Sequence, residues 1–251
     1  MIYKQSSIDI IGEIISSLTF PVIIKQVVNN GNGVHTLSVC DMYHAQPGFY
    51  VTIGTKKYLI TGITPAVYDP CGNSTNDVLV IKGDAANITA TTFNMYAPFY
   101  FYGTPMAEGT ELSQVNQAKD KIPMYWLRLD DFSEKFFENG TENKEREIKF
   151  RLYPLTTSDH EKWVTSQGIN FAVNPMHRLA EMFVEKVKAM PERFDVNELV
   201  WDIPAVYPKF GVISINRGVE KSLWHDKLGG VELSMSLTVL KRFENQCEPC
   251  A

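Results

Sequence analysis

The chain reads as an α+β fold: mainly antiparallel sheet with flanking helices, and a small barrel-like β-domain inserted between its first helix and the rest. Three observations predict it. A nine-residue alternation near the C-terminus places Val231, Leu233, Met235, Leu237 and Val239 on one side and Glu232, Ser234, Ser236 and Thr238 on the other, the period-2 pattern of a strand with one buried face. Two apolar stripes at three- and four-residue spacing, far apart in the chain, predict amphipathic helices. Between them, residues 34–103 carry seven charged side chains in seventy and break into short alternating runs at Gly, Pro and Asn. Runs of strands with helices segregated from them give an α+β plan.

The first stripe, Ile8, Ile11, Ile14, Ile15 and Leu18, follows the capping serines Ser6 and Ser7 and predicts a helix over 7–18. After Pro21 the β-branched run VIIKQVV predicts a strand that ends in the turn Asn29–Gly33. Within 34–103, Phe49, Val51 and Ile53 alternate up to Gly54-Thr55, and Tyr58, Ile60 and Gly62 continue beyond it, predicting a hairpin. Val78–Lys82 is a further strand, and the aromatic run Phe99–Tyr102 is expected to close the β-domain. The division is therefore 1–33 and 104–251 for the core and 34–103 for the insertion.

Further on, PMYWL (123–127) and EIKFRLY (147–153) read as strands. They flank a stretch in which residues 128–151 hold thirteen charges in twenty-four, and its Gly-Thr-Glu-Asn centre predicts a solvated loop. The second stripe, Met176, Leu179, Ala180, Phe183, Val187 and Met190, predicts a helix capped by Asn174, opened by Pro175 and ended by Pro191. Arg178, Glu181, Glu185, Lys186 and Lys188 form its polar face. Gly229-Gly230 is expected to supply a turn before the last strand.

At 251 residues with 44% hydrophobic and 21% charged residues, the chain has the composition of a folded protein. Its net charge of −5 gives no global attraction for phosphate backbones. The first twenty residues lack a signal peptide's basic start and apolar run, and no stretch approaches a membrane span, so residence in a cytoplasm is the expectation. Of Cys40, Cys71, Cys247 and Cys250 only the last two form a C-x-x-C, which reads as a mobile thiol pair in the tail, and no metal or cofactor is assigned. Phosphate loops, nucleophile elbows and dinucleotide fingerprints do not occur in the sequence. His35, His44, His160, His177 and His225 are scattered. His160 between Asp159 and Glu161 reads as a surface residue, and Asp130-Asp131 is too sparse for a cation site. Asn73, Asn87 and Asn139 match the glycosylation pattern by chance. These readings predict no enzyme and no catalytic residue.

The stretch from Ile122 to Phe194 resembles tailed-phage tail-terminator and head–tail connector proteins. In these a Pro-led apolar strand (PMYWL) precedes an acidic loop and a second strand (EIKFRLYPLTT). A variable linker (SDHEKWVTSQGINFAV) then leads to a Pro-capped helix (NPMHRLAEMFVEKV), and WHDKLGGVELSMSLTVLK is similar to the family's final loop and strand. The inserted β-domain departs from minimal tail terminators, and the whole looks most like ring proteins below the portal of crAss-like phages. The resemblance implies a virion protein made in a bacterial host. It would form a homo-oligomeric ring of twelve copies, or six as the alternative, that joins portal-proximal and tail components around a channel through which packaged DNA passes. Subunits are expected to contact head to tail, because only such contacts close into a ring of many members. Phe132, Phe136 and Phe137, in a loop expected to be disordered before assembly, are the candidate interface anchors. The alternative reading is a small-molecule or carbohydrate-binding module using the aromatics at 96–102.

Overall fold

The computed structural model describes residues 6–66, 76–103, 122–137, 144–158, 165–210, 212–215, 219–222 and 227–240. It is an α+β structure of mostly antiparallel sheet. Helix α1 (Ser7–Ser16) starts where expected: Ser6 Oγ accepts the Asp9 amide at 3.1 Å, satisfying one of the free donors at the helix start. Six strands follow: β1 (Pro21–Asn29), β2 (Val34–Val39), β3 (Tyr50–Ile53), β4 (Lys56–Thr64), β5 (Asp77–Lys82) and β6 (Thr92–Asn94). They hydrogen-bond in the order β3-β4-β5-β2-β1-β6, and β6 comes back beside β3, so the sheet curls into a nearly closed barrel. The β1–β2 turn has Gly31, Asn32 and Gly33 at φ 81°, 53° and 71°. Gly33 is needed twice over, since a Cβ there would lie 2.2 Å from the Gly83 carbonyl oxygen.

A second sheet contains β7 (Phe99–Gly103), β8 (Met124–Phe136), β9 (Lys144–Thr157), β10 (Val200–Phe210) and β13 (Leu228–Leu240). Its order is β10-β13-β9-β8-β7, and β11 (Val212–Ile215) with β12 (Val219–Ser222) forms a separate hairpin. Every pairing in the five-stranded sheet is antiparallel except β7 with β8. The two sheets therefore divide the strands differently from the sequence division at 34 and 103. β1 pairs with β2 and β6 and belongs to the barrel, whereas β7 lies against β8 in the larger sheet. A β-branched strand carries no mark of which sheet it will join, because that depends on partners distant in sequence.

Helix α2 (Asn174–Lys188) lies over β9 and β13 with Met176, Leu179, Ala180, Phe183, Val184 and Val187 buried, which matches the predicted stripe. Each fully buried Leu, Val or Phe of this kind contributes about 1.5–3 kcal/mol. Its start differs from expectation. Asn174 has helical φ −60° and ψ −45° and is not a cap, because a π-helical turn (Ile169–Val173) and an α-turn (Thr165–Gly168) run directly into α2. The wider turn lets the Asn174 amide reach the Ile169 carbonyl and makes room for Pro175, whose ring would collide with a tighter preceding turn.

The last strand also departs from prediction. β13 is central, between β10 and β9, so its polar face is covered as well: Glu232 and Thr238 are each 4% exposed. Gly229 and Gly230 form no turn but lie inside β13, where a Cβ on Gly230 would sit 2.1 Å from the Pro154 carbonyl oxygen. They let this strand come close to β9 at a proline that offers no amide.

The barrel interior, α1, α2 and the helix-facing side of the five-stranded sheet share one apolar core. A smaller aromatic cluster, including Trp126, Tyr153 and Phe210, fills the opposite side of that sheet.

Candidate subunit interface

The region read as a loop at 128–147 is an arm. β8 and β9 stay paired outward through Ser133↔Lys149, Glu134↔Ile148, Lys135↔Glu147 and Phe136↔Arg146, and the Phe137 amide donates to the Glu145 carbonyl at 3.0 Å. The expected disorder therefore fails for the described part of this segment; residues 138–143, with Gly140, lie outside the described residues. Mixed charge misled the reading because described charges of this segment have cross-strand or neighbouring partners. Arg146 lies 3.8 Å from Glu134 and 3.6 Å from Glu145, and Lys149 is 3.1 Å from Glu147, whose carboxyl these bonds hold below the ordinary carboxylate range, Lys149 first and then Ser236.

The three candidate anchors separate. Phe132 is half-buried against the main core, inside a bulge where the register jumps between Arg128↔Arg151 and Ser133↔Lys149. Phe136 is 51% exposed with the Arg146 guanidinium 5.7 Å from its ring, and Phe137 is half-buried with Lys135 Nζ at 5.6 Å. Phe136 and Phe137 remain available at the arm. Phe132 is a packing residue.

At the base of the arm a polar network crosses four strands. The bulge sets Asp131 Oδ2 3.3 Å from Arg128 Nε and 3.9 Å from Arg151 Nε. Arg151 Nη1 is 3.0 Å from Glu232 Oε1, and Tyr207 donates its hydroxyl proton to Glu232 Oε2 at 2.7 Å. Burial first, then this carboxylate acceptor, holds the Tyr207 hydroxyl above its ordinary range. Both Glu232 oxygens are engaged, so the group fastens β10, β13 and β9 together. Asp130 lies 3.6 Å from Arg128, placing the acidic pair beside arginines.

β10 is an end strand of its sheet, and prolines mark it as one. Register breaks fall between Asp202 and Ala205 and between Tyr207 and Phe210, around Pro204 and Pro208, which cannot donate to a ladder. It also carries exposed apolar side chains: Val200 at 67%, Trp201 at 36% and Val206 at 53%. No strand was assigned here from the sequence, although VWDIPAVYPKF holds the signal, β-branched and aromatic residues interrupted by prolines.

The aromatics of the alternative reading are partly committed to packing. Tyr96 stacks on Phe49 at 5.1 Å, and Tyr100 donates its hydroxyl to the Ile8 carbonyl at 3.0 Å. A cavity of about 380 Å³ lies beside them, lined by Phe49, Tyr50, Lys57, Tyr96, Phe99 and Ile122 among others. Tyr50 and Phe99 are exposed there.

Two histidines that the sequence left unassigned are fully buried in or beside the barrel. His35 Nε2 lies 2.8 Å from the Asp84 carbonyl, and His44 Nε2 lies 2.7 Å from that of Tyr96. His177 pairs with Glu181 at 3.5 Å on the outer face of α2. His160, His225, Cys71, Cys247 and Cys250 fall outside the described residues, and Cys40 is an exposed thiol. Among the described residues no group of three or more His, Cys, Asp or Glu is placed to hold a metal ion, and no helix is long and apolar enough to cross a membrane. Comparison with protein-family models, curated proteins and solved structures returns no match.

Proposed function

We propose that the chain is a structural subunit of a tailed-phage virion. It would form a homo-oligomeric ring in the head–tail connector or tail and join portal-proximal to tail components around the DNA channel. One observation supports this reading above the others. The segments that carry the resemblance, PMYWL, EIKFRLYPLTT, NPMHRLAEMFVEKV and GGVELSMSLTVL, lie together as β8, β9, α2 and β13, with the helix laid over the paired strands. An apolar end strand on one side of the sheet would supply one of the two unlike surfaces that a ring of many members requires, and the projecting arm would be free to reach a further neighbour. DNA would pass through the channel without sequence-specific contacts, in keeping with the net charge of −5.

Mass spectrometry of purified virions tests the reading. The chain is expected as a stoichiometric particle component, and its absence from intact particles would overturn the proposal. Cryo-EM of the same particles counts the copies, twelve or six.

The cavity at Tyr50, Lys57 and Phe99 favours a second reading, a small-molecule or carbohydrate-binding module, since two exposed rings flank a cationic side chain. A thermal shift on adding glycans, lost in Tyr50→Ala, would support it.

A further inference from the structure

The two ends of the five-stranded sheet differ in shape and charge but expose side chains on the same face. At the β10 end, Trp201 lies opposite Met235 and Val206 opposite Val231, both core residues, so Trp201 and Val206 are on the helix-bearing side. α2 covers β13 and β9 and leaves this strip open. Lys188, in the last turn of α2, holds its ammonium 5.6 Å from the Trp201 ring. At the β7 end, Tyr100 and Tyr102 lie opposite Tyr125 and Leu127, again on the helix-bearing side. Here α1 and β7 bound an open cleft of about 560 Å³ that includes Asp9, Gly12, Glu13, Tyr100 and Tyr102. Gly12 lets α1 press onto the Tyr100 ring, 2.9 Å from where a Cβ would be, and Tyr102 stands beside it 51% exposed.

We infer that these ends are the two halves of one head-to-tail junction, in which the Trp201–Val206 strip and Lys188 of one copy seat in the α1–β7 cleft of the next. The inference rests on the ring reading and names the surfaces that would make the ring.

Three observations commit the cleft to a second copy of this chain. Strand direction alternates from β10 through β13 and β9 to β8, and β7 runs parallel to β8, so β7 is antiparallel to β10. A neighbour's β7 therefore adds beside β10 in the commoner antiparallel sense. Length agrees too: Val200–Ile203, the part of β10 before Pro204, faces a β7 of five residues, and the proline ends pairing there and sets the register. Charge is complementary, with Lys186 and Lys188 at the C-terminal end of α2 and Asp9 on α1, while Glu13 is already paired with Arg193 of its own copy at 2.8 Å.

The test uses the full chain and two variants. Trp201→Ser with Val206→Ser removes the strip, and Tyr102→Lys spoils the cleft. Assembly is followed by light scattering and mass photometry over a concentration series, with thermal unfolding as the folding control. Each variant is expected to unfold in one cooperative transition, with Tm lowered in the strip variant by the apolar area Trp201 loses, and to associate about tenfold or more weakly. Mixed in equal amounts, the variants are expected to form dimers and nothing larger, because only one intact strip and one intact cleft remain per pair. If wild type assembles and both variants assemble equally well, the junction lies elsewhere while the ring reading stands. A wild-type chain that stays monomeric throughout overturns both. Should either variant lose its fold, the Lys188→Glu and Asp9→Lys pair replaces it. Each alone is expected to weaken assembly and the double variant to recover it, and failure to recover refutes the junction.

Discussion

Acid should loosen this protein through one buried imidazole before its carboxylates are fully titrated. His44 is fully buried, edge-on to the Phe20 and Tyr96 rings at 4.8 Å each. Nε2 donates to the Tyr96 carbonyl, while Nδ1 has no partner among the described residues. Burial outweighs that hydrogen bond and brings the pKa from 6.5 down to about 4. The unfolded chain thus takes up a proton near pH 6.5, and the folded chain resists until about pH 4. Stability associated with the neutral ring is complete above the unfolded value and is lost as pH falls through this window. The loss is about 2 kcal/mol at pH 5 and about 3 kcal/mol once the pH is below 4. The measurement is urea unfolding at several pH values between 7.5 and 4.5 for wild type and for His44→Gln, which keeps an amide donor but does not titrate. The variant is expected to be less stable at pH 7.5 but to lose about 2 kcal/mol less than wild type on going to pH 5. Parallel pH profiles for the two proteins would refute the assignment.

Three further outcomes follow from packing and from the arm. Phe183→Ala opens a cavity between the Tyr125 and Phe150 rings, each 6.2 Å from the Phe183 ring, and should cost about 3–5 kcal/mol in denaturant unfolding. Gly230→Ala forces a methyl against the Pro154 carbonyl, a backbone atom that cannot swing aside, and should cost about 1–3 kcal/mol or more, read as a lowered Tm. Phe136→Ala with Phe137→Ala should leave the fold nearly as stable as wild type while weakening assembly. Hydrogen exchange should show the Phe137 amide protected in the isolated subunit, and free exchange there would remove the paired arm.

Local pattern carried the elements whose neighbours are close in sequence. The α1 stripe with its Ser6 cap, the β3–β4 hairpin around Gly54 and the α2 stripe are all present at their predicted places. The misreadings share one cause, which is that long-range pairing decides them. The charges from Arg128 to Arg151 look like a solvated loop until Glu134 and Asp131 are set against the basic side chains across the arm and Glu147 against Lys149 beside it. Glu232 looks like an outward residue on an amphipathic strand until β10 and β9 close on either side and supply Tyr207 and Arg151. Of the candidate anchors, the exposure of Phe136 was legible, but Phe132 was not separable from it, since the bulge that turns Phe132 inward depends on the register of β9. His44 had no sequence signal at all: a single polar residue is placed inside only by the strands that surround it.

How the barrel meets the larger sheet bears on what a ring made of such subunits could transmit. Gln46, between β2 and β3, is 5% exposed and spends both ends of its amide on the larger sheet. Its Nε2 donates to Thr156 Oγ1 at 2.6 Å and to the Phe171 carbonyl at 3.4 Å, and its Oε1 accepts from Thr157 at 2.7 Å. Tyr96 and His44 close the same boundary, each bonding to the other's backbone carbonyl. These polar ties lie beside an apolar core that runs from the barrel into α1 and α2, so tilting the barrel would separate buried apolar surface and strand a buried amide together. Such a boundary is stiff, unlike the small polar contacts that let domains swing. In a ring, the barrel's direction would then be set by the same core that sets the β7 and β10 ends. Neighbouring copies would present their barrels at equal angles to whatever lies above or below, which is the geometry a stacked connector requires.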